Sequence, residues 1–221
     1  MSMDNSVALK FILVGRWAVG KTSFIRSMMH QEVSDQYKLT VGADMTAVST
    51  TVDGEPVSIY LWDIAGQSRF VGLYPTFFKG AHIAILMYDI SPEGRESFDQ
   101  LEELVGSIRQ QTWVQRDDEV EEDIPIFCIA NKTDLVKNGT YVTDEEISSK
   151  MRDLGVAGHF KTSARLNKGV SDAFDQMVAY AWHFYKDRGL IHSDDDDHIE
   201  LTQARSSDGG CMGLFGRLLG R

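Results

Sequence analysis

The run Gly15-Arg-Trp-Ala-Val-Gly20-Lys21-Thr22 has the spacing G-x-x-x-x-G-K-[ST]. Consecutive backbone N–H groups in such a loop can cradle phosphate oxygens, and a helix opening behind it adds positive potential. Lys21 can bridge the outer phosphates, and the Thr22 hydroxyl can ligate Mg²⁺. The pattern carries weight only between a strand and a helix. Leu9 to Val14 is a short apolar run that reads as a buried strand. Residues 21–30 read as a helix with Phe24, Ile25, Met28 and Met29 on one side. The context is met, and a nucleoside triphosphate is implied. ATPases, nucleotide kinases and GTPases all remain open at this point.

A second set of residues speaks to the base. Asn131-Lys132-Thr133-Asp134 follows the apolar run Ile124 to Ala130. A carboxylate at Asp134 can accept from both N1–H and the exocyclic N2–H₂ of guanine, a donor pair adenine lacks. Each such charge-assisted bond is worth about 1–3 kcal/mol. Lys132 can lay its aliphatic stem on the base face, and Asn131 can tie neighbouring loops together. Thr162-Ser163-Ala164 follows another strand candidate, ending at Phe160, and its backbone N–H groups can meet guanine O6.

These residues need a scaffold that brings them to one place. Met45 to Val52 and Val57 to Trp62 are β-rich and flank Asp53-Gly54, a strong hairpin signal. Ile83 to Tyr88 reads as a further buried strand. Phe98, Leu101, Leu104, Val105 and Ile108 fall at helical spacing, Thr143-Asp-Glu-Glu146 is a capping box, and Val170 to Trp182 carries the apolar stripe of a long last helix. Strands alternating with helices imply an α/β fold, a mostly parallel sheet covered on both faces, with the hairpin making one strand antiparallel. Residues 117–123, all acidic but Val120, read as a solvated loop between a helix and a strand.

Composition narrows the class. At about 150 residues per domain, 221 residues make one domain with a tail or one large domain. An apolar share of 43% and a charged share of 25% are those of a globular chain. A formal net charge of −11 argues against nucleic acid, whose backbone needs clustered Lys and Arg. Two cysteines, Cys128 and Cys211, make neither a disulfide framework nor a metal cluster and suit the cytoplasm. No apolar run is long enough to span a membrane, and the polar start does not read as a secretory signal.

Taken in order, the motifs resemble those of the Ras superfamily of small GTPases over about residues 8–187. Val33-Ser-Asp-Gln-Tyr37-Lys-Leu-Thr40-Val-Gly42-Ala-Asp44, Trp62-Asp-Ile-Ala-Gly66-Gln67-Ser-Arg-Phe70 and Phe77-Phe-Lys-Gly80-Ala81 are similar to the Rab branch, the first segment to late-endosomal Rabs. The resemblance implies a P-loop G domain over 8–187, with a six-stranded sheet and five flanking helices. A disordered start over 1–7 and a flexible tail over 188–221 would flank it. It implies a monomeric GTP/GDP switch with Mg²⁺. Thr22 and Thr40 would give hydroxyls to the metal, and Asp63 would hold it through a water. The Gly66 N–H would meet the γ-phosphate, and Gln67 would orient the attacking water. Lys21, Gly66 and Gln67 form the implied catalytic set. The implied nucleotide contacts are Gly15, Trp17, Ala18, Val19, Gly20, Lys21, Thr22, Ser23, Val33, Tyr37, Thr40, Gly66, Asn131, Lys132, Asp134, Ser163, Ala164 and Arg165. Loss of the γ-phosphate would release both switch loops. Effectors would engage both switches and Met45, Trp62 and Phe77, where Met45 stands for the usual aromatic. An exchange factor and a GTPase-activating protein are implied too.

The chain departs from that pattern in four places. Trp17 stands where Ras proteins carry Gly and many Rabs Ser, and an indole there would crowd the water, Gln67 and an incoming arginine. That leaves a second reading, a module that holds GTP and barely hydrolyses it. Val33 replaces the aromatic that packs on guanine, and Arg165 replaces a Lys. The end of the chain, Cys211-Met-Gly-Leu-Phe-Gly-Arg-Leu-Leu-Gly-Arg221, is not a prenylation signal. Met212, Leu214, Phe215, Leu218 and Leu219 fall on one half of a helical wheel, with Arg217 and Arg221 on the other. That is a basic amphipathic signature, which makes 211–221 a candidate membrane contact on the cytosolic face of endomembranes.

Overall fold

The computed structural model describes residues 7–33, 39–115, 121–136 and 142–191. Tyr37, Cys211 and the amphipathic segment 211–221 lie outside the described residues. In chain order the elements are β1 (Val7–Val14), α1 (Lys21–Met28), β2 (Ala43–Val52), β3 (Glu55–Ile64), α2 (Tyr74–Phe78), β4 (Ile83–Asp89), α3 (Arg95–Asp99) and α4 (Leu101–Gln111). They continue as β5 (Val114–Gln115), β6 (Glu121–Glu122), β7 (Ile126–Asn131), α5 (Asp144–Asp153), β8 (Gly158–Lys161) and α6 (Val170–Lys186).

Six strands make one sheet in the order β2-β3-β1-β4-β7-β8. All neighbours run parallel except β2 and β3. That pair is a two-residue hairpin because Asp53 (φ 53°) and Gly54 (φ 88°) both adopt the left-handed backbone such a turn requires. The α3 and α4 segments meet at Gln100. Its N–H bonds Glu96 O and its carbonyl accepts from Leu104 N, both at 3.2 Å, so the two run as one interrupted helix. Counted so, five helices flank the sheet, as the sequence implies.

The strand side chains alternate between two cores, the signature of a sheet covered on both faces. Leu9, Phe11 and Leu13 join Phe24 of α1 and Phe174, Met177 and Trp182 of α6. Ile12 and Val14 join Phe78 of α2, Phe98, Leu101 and Ile108 of α3 and α4, and Ile147 of α5. The capping box forms at α5, where the Thr143 hydroxyl accepts from Glu146 N at 3.1 Å.

Two stretches differ from the sequence reading. Glu121–Glu122 of the acidic run are not loop. They pair antiparallel with Val114–Gln115. Two of its carboxylates meet arginines elsewhere in the chain. Arg188 grips Glu122 with both carboxylate oxygens at 2.6 and 2.7 Å, and Arg109 meets Asp123 at 3.1 Å. The start of the expected tail is likewise packed on the domain. Leu190 N bonds Tyr185 O at 2.9 Å and Ile191 is buried. The Tyr185 hydroxyl donates to His82 O at 2.7 Å, just ahead of β4. Among the described residues no helix is long and apolar enough to cross a membrane.

Candidate functional site

The chemistry-bearing residues collect at the carboxyl ends of the parallel strands, where open α/β sheets bind ligands. The loop Gly15–Gly20 leaves β1, Asp63 lies near the end of β3, Asn131 ends β7, and Thr162 to Ala164 follow β8.

The phosphate loop is held by its own lysine. Lys21 is buried, and its Nζ donates to Gly15 O at 2.8 Å and Arg16 O at 3.0 Å. Burial lowers its pKa to about 8, against the pull of Asp63. Val19 is buried, while Ala18 (φ 62°) and Gly20 (φ 99°) take left-handed backbone. At Gly20 a Cβ would overlap the Asn131 amide nitrogen, so only glycine fits. Ser23 follows Thr22 in the first turn of α1. Trp17 N donates to Gly66 O at 3.1 Å, and Ala65 N to Gly42 O at 2.8 Å, which ties both switch loops to the site. A Cβ at Gly66 would overlap the backbone of Gly15, Arg16 and Trp17.

Three oxygen donors converge beside this loop. Thr22 Oγ1 donates to Asp63 Oδ2, lies 3.1 Å from Thr40 Oγ1, and Thr40 Oγ1 lies 3.4 Å from the same carboxylate oxygen. Asp63 is buried and its Oδ1 has no partner. Burial raises its carboxyl above the ordinary range, with the Thr22 bond and Lys21 opposing. A buried carboxylate with two hydroxyls on one oxygen and no partner on the other is a hard-oxygen set that fits Mg²⁺. Gln67 Oε1 is likewise buried without a partner.

The base-side residues are locked together. Asn131 is 1% exposed. Its Nδ2 donates to Val19 O at 2.9 Å, and its Oδ1 accepts from Thr162 Oγ1 and from Ala164 N, each at 3.1 Å. Ser163 Oγ donates to Asp134 Oδ1 at 2.5 Å and so orients that carboxylate. Lys132 has left-handed backbone (φ 68°) and its ammonium is fixed on Asp89 at 2.7 Å. Sequence reasoning missed Asp89, because nothing around the end of β4 marks it. Arg165 is exposed and Val33 half-buried.

At the departures the geometry is specific. The Trp17 indole is 46% exposed, and the Arg16 guanidinium lies 4.9 Å from its ring centre. Arg16 in turn pairs with Glu96 of α3 at 2.5 Å, a partner the sequence gives no means of finding. Met45 stands opposite Trp62 in the β2–β3 register and is 48% exposed. Trp62 and Phe77 lie 6.4 Å apart and are half-buried against the second core, with Lys10 Nζ 4.6 Å above Trp62.

The Ras family model matches residues 10–182. The Ypt/Rab-type GTPase avaA of Emericella nidulans is 32% identical over 95% of this chain and 98% of its own length. The Ypt/Rab-type GTPase ypt7 of Schizosaccharomyces pombe is 32% identical over 90% and 95%, and the Ras-related protein Rab7 of Cenchrus ciliaris 29% identical over 96% and 100%. The chain therefore belongs to the Ras family. Within it the chain falls on the Rab branch, a group of small GTPases that bind GTP and GDP and hydrolyse GTP.

Asn131→Ala leaves Val19 O, Ala164 N and the Thr162 hydroxyl unpaired in a dry site. Buried groups left unsatisfied cost about 1–3 kcal/mol each. The expected result in urea unfolding, at fixed saturating nucleotide, is a loss of about 3 kcal/mol or more. A loss under about 1 kcal/mol would mean that the bridge carries little.

Proposed function

We propose that this protein is a Rab-type GTP/GDP switch in membrane traffic, working as a monomer that recruits effectors while GTP is bound. The observation that carries this reading is the convergence of Lys21, Thr22, Thr40 and Asp63 at one end of Asn131 and of Asp134, Ser163 and Ala164 at the other. Asp134 reads the guanine edge, with Ser163 holding the carboxylate in place. Lys132 covers the base while Asp89 fixes its ammonium. Lys21 exchanges its loop carbonyls for the outer phosphate oxygens. Thr22, Thr40 and Asp63 hold the cation, which when bound neutralises charge on the β- and γ-phosphates. The N–H of Gly66 meets the γ-phosphate, and Gln67 orients the attacking water. Switch I through Thr40 and switch II through Gly66 are thereby held on the γ-phosphate side only in the triphosphate state, and Met45, Trp62 and Phe77 lie between them as the effector surface. An exchange factor and a GTPase-activating protein act on the same two loops.

Hydrolysis is slow in this reading. Trp17 is joined to Gly66 through its backbone, and its side chain is carried at the mouth of the loop under Arg16. A bulky ring at this loop position crowds both the water and an incoming arginine, which elsewhere raises the rate about 10³–10⁵-fold. The segment 211–221 supplies membrane contact by laying its apolar half in the interface while Arg217 and Arg221 face anionic headgroups.

Three measurements test these points. Asp134→Asn replaces one of two acceptors with a donor, so GTP and GDP affinity should fall steeply and xanthine nucleotides gain; equal affinity for GTP removes the base assignment. Trp17→Gly should raise the single-turnover rate or restore response to an activator. Wild type hydrolysing as fast as Trp17→Gly excludes crowding. With vesicles of anionic lipid, the full chain should float and a chain ending at Gly210 should not; equal behaviour of the two rules out the segment as the contact.

A further inference from the structure

On the outer flank of the site, a second side-chain bond joins the base loop to the phosphate helix. Ser27, buried in the last turn of α1, donates from Oγ to Asn167 Oδ1 at 2.9 Å. The Asn167 amide nitrogen lies 3.5 Å from His30 Nδ1, on the residue pair that ends the same helix. Asn167 holds left-handed backbone, φ 49°, which asparagine adopts more readily than other side-chain-bearing residues. It sits at the tip of a tight loop closed by Ser163 and Lys168, whose N–H and C=O groups exchange bonds of 3.0 Å in both directions. Leu166 N also bonds Ser163 Oγ at 3.1 Å, and that same hydroxyl holds Asp134. The loop is thus bonded across its own base, with the Ser163 hydroxyl at its root on the base-reading carboxylate of Asp134 and Asn167 at its tip.

The helix it grips carries Lys21 and Thr22 in its first turn, and the chain leaves its far end toward Val33. Val33 offers the base far less contact than a ring would. We infer that Asn167 is a positioning residue for nucleotide retention. Through Ser27 it clamps the base loop to the end of α1 on the outside, as Asn131 clamps it to the phosphate loop on the inside. The inference rests on the guanine-site reading above. Release of nucleotide requires the base loop and the α1 end to part, and each bond across that seam opposes it.

The test is GDP release from the full chain, followed with a fluorescent GDP. Asn167→Gly removes the side chain yet tolerates the left-handed backbone. Ser27→Ala removes the other partner, and Asn167→Asp keeps an acceptor for Ser27. Release should quicken about fivefold in Asn167→Gly and in Ser27→Ala, the scale of one hydrogen bond. The double variant should be no faster than either single one, and Asn167→Asp should release at the wild-type rate. Single-turnover GTP hydrolysis should not change in any of them, which a general loss of structure would not respect. Unchanged release in both single variants, additive effects in the double variant, or no rescue by Asn167→Asp overturns the inference. If GDP binding still depends on Asp134 in those cases, the guanine-site reading survives it. A wild type that binds no GDP overturns both.

Discussion

One buried amide sets the distance between the two halves of the site. Asn131 reaches back to Val19, 112 residues earlier in the chain, and forward to Thr162 and Ala164. All three bonds lie in a dry interior, where an unmade bond costs more than a made one gains. The phosphate loop and the base loop therefore cannot drift apart without exposing polar groups that nothing else can satisfy. The absence of a Cβ at Gly20 is what lets the amide in.

Around that fixed spacing the protein carries charges it does not fully neutralise. Lys21 is satisfied by carbonyl oxygens rather than by a carboxylate, and Asp63 keeps one oxygen without a partner. Burial pushes both groups toward their neutral forms. A site in this condition favours ligands that bring an anion to the lysine and a cation to the aspartate, since each removes a desolvation cost already incurred in folding. The phosphate loop and the three-oxygen cluster are in that sense one electrostatic unit, and Thr22, adjacent to Lys21, belongs to both.

The sheet was readable because its order comes from local rules. Apolar runs mark the buried strands β1, β4 and β7. Asp53-Gly54 marks the antiparallel turn of the six-stranded sheet, because its two left-handed residues match the twist of the strands it joins. The phosphate and base motifs were readable because backbone geometry fixes their spacing. What escaped were long-range side-chain pairs. Glu96 on Arg16, Asp89 on Lys132 and Asn167 on Ser27 join residues with no shared pattern. The acidic run misled for the same reason. Like charges in sequence imply solvent, unless a distant arginine such as Arg188 arrives to pair with them.

The grip of Arg188 on Glu122 also gives the molecule a polarity. Because α6 runs antiparallel to the central strands, its end sits beside His82, at the foot of β4, while the phosphate loop lies at the strands' opposite ends. Leu190 and Ile191 are fastened there. Everything beyond Ile191 starts from the pole facing away from the nucleotide. The length of the parallel strands separates that pole from the phosphate loop. Ile191, the last described residue, thus lies at the opposite end of the strands from the phosphate and base loops, and the packing that fastens it there leaves those loops uncovered.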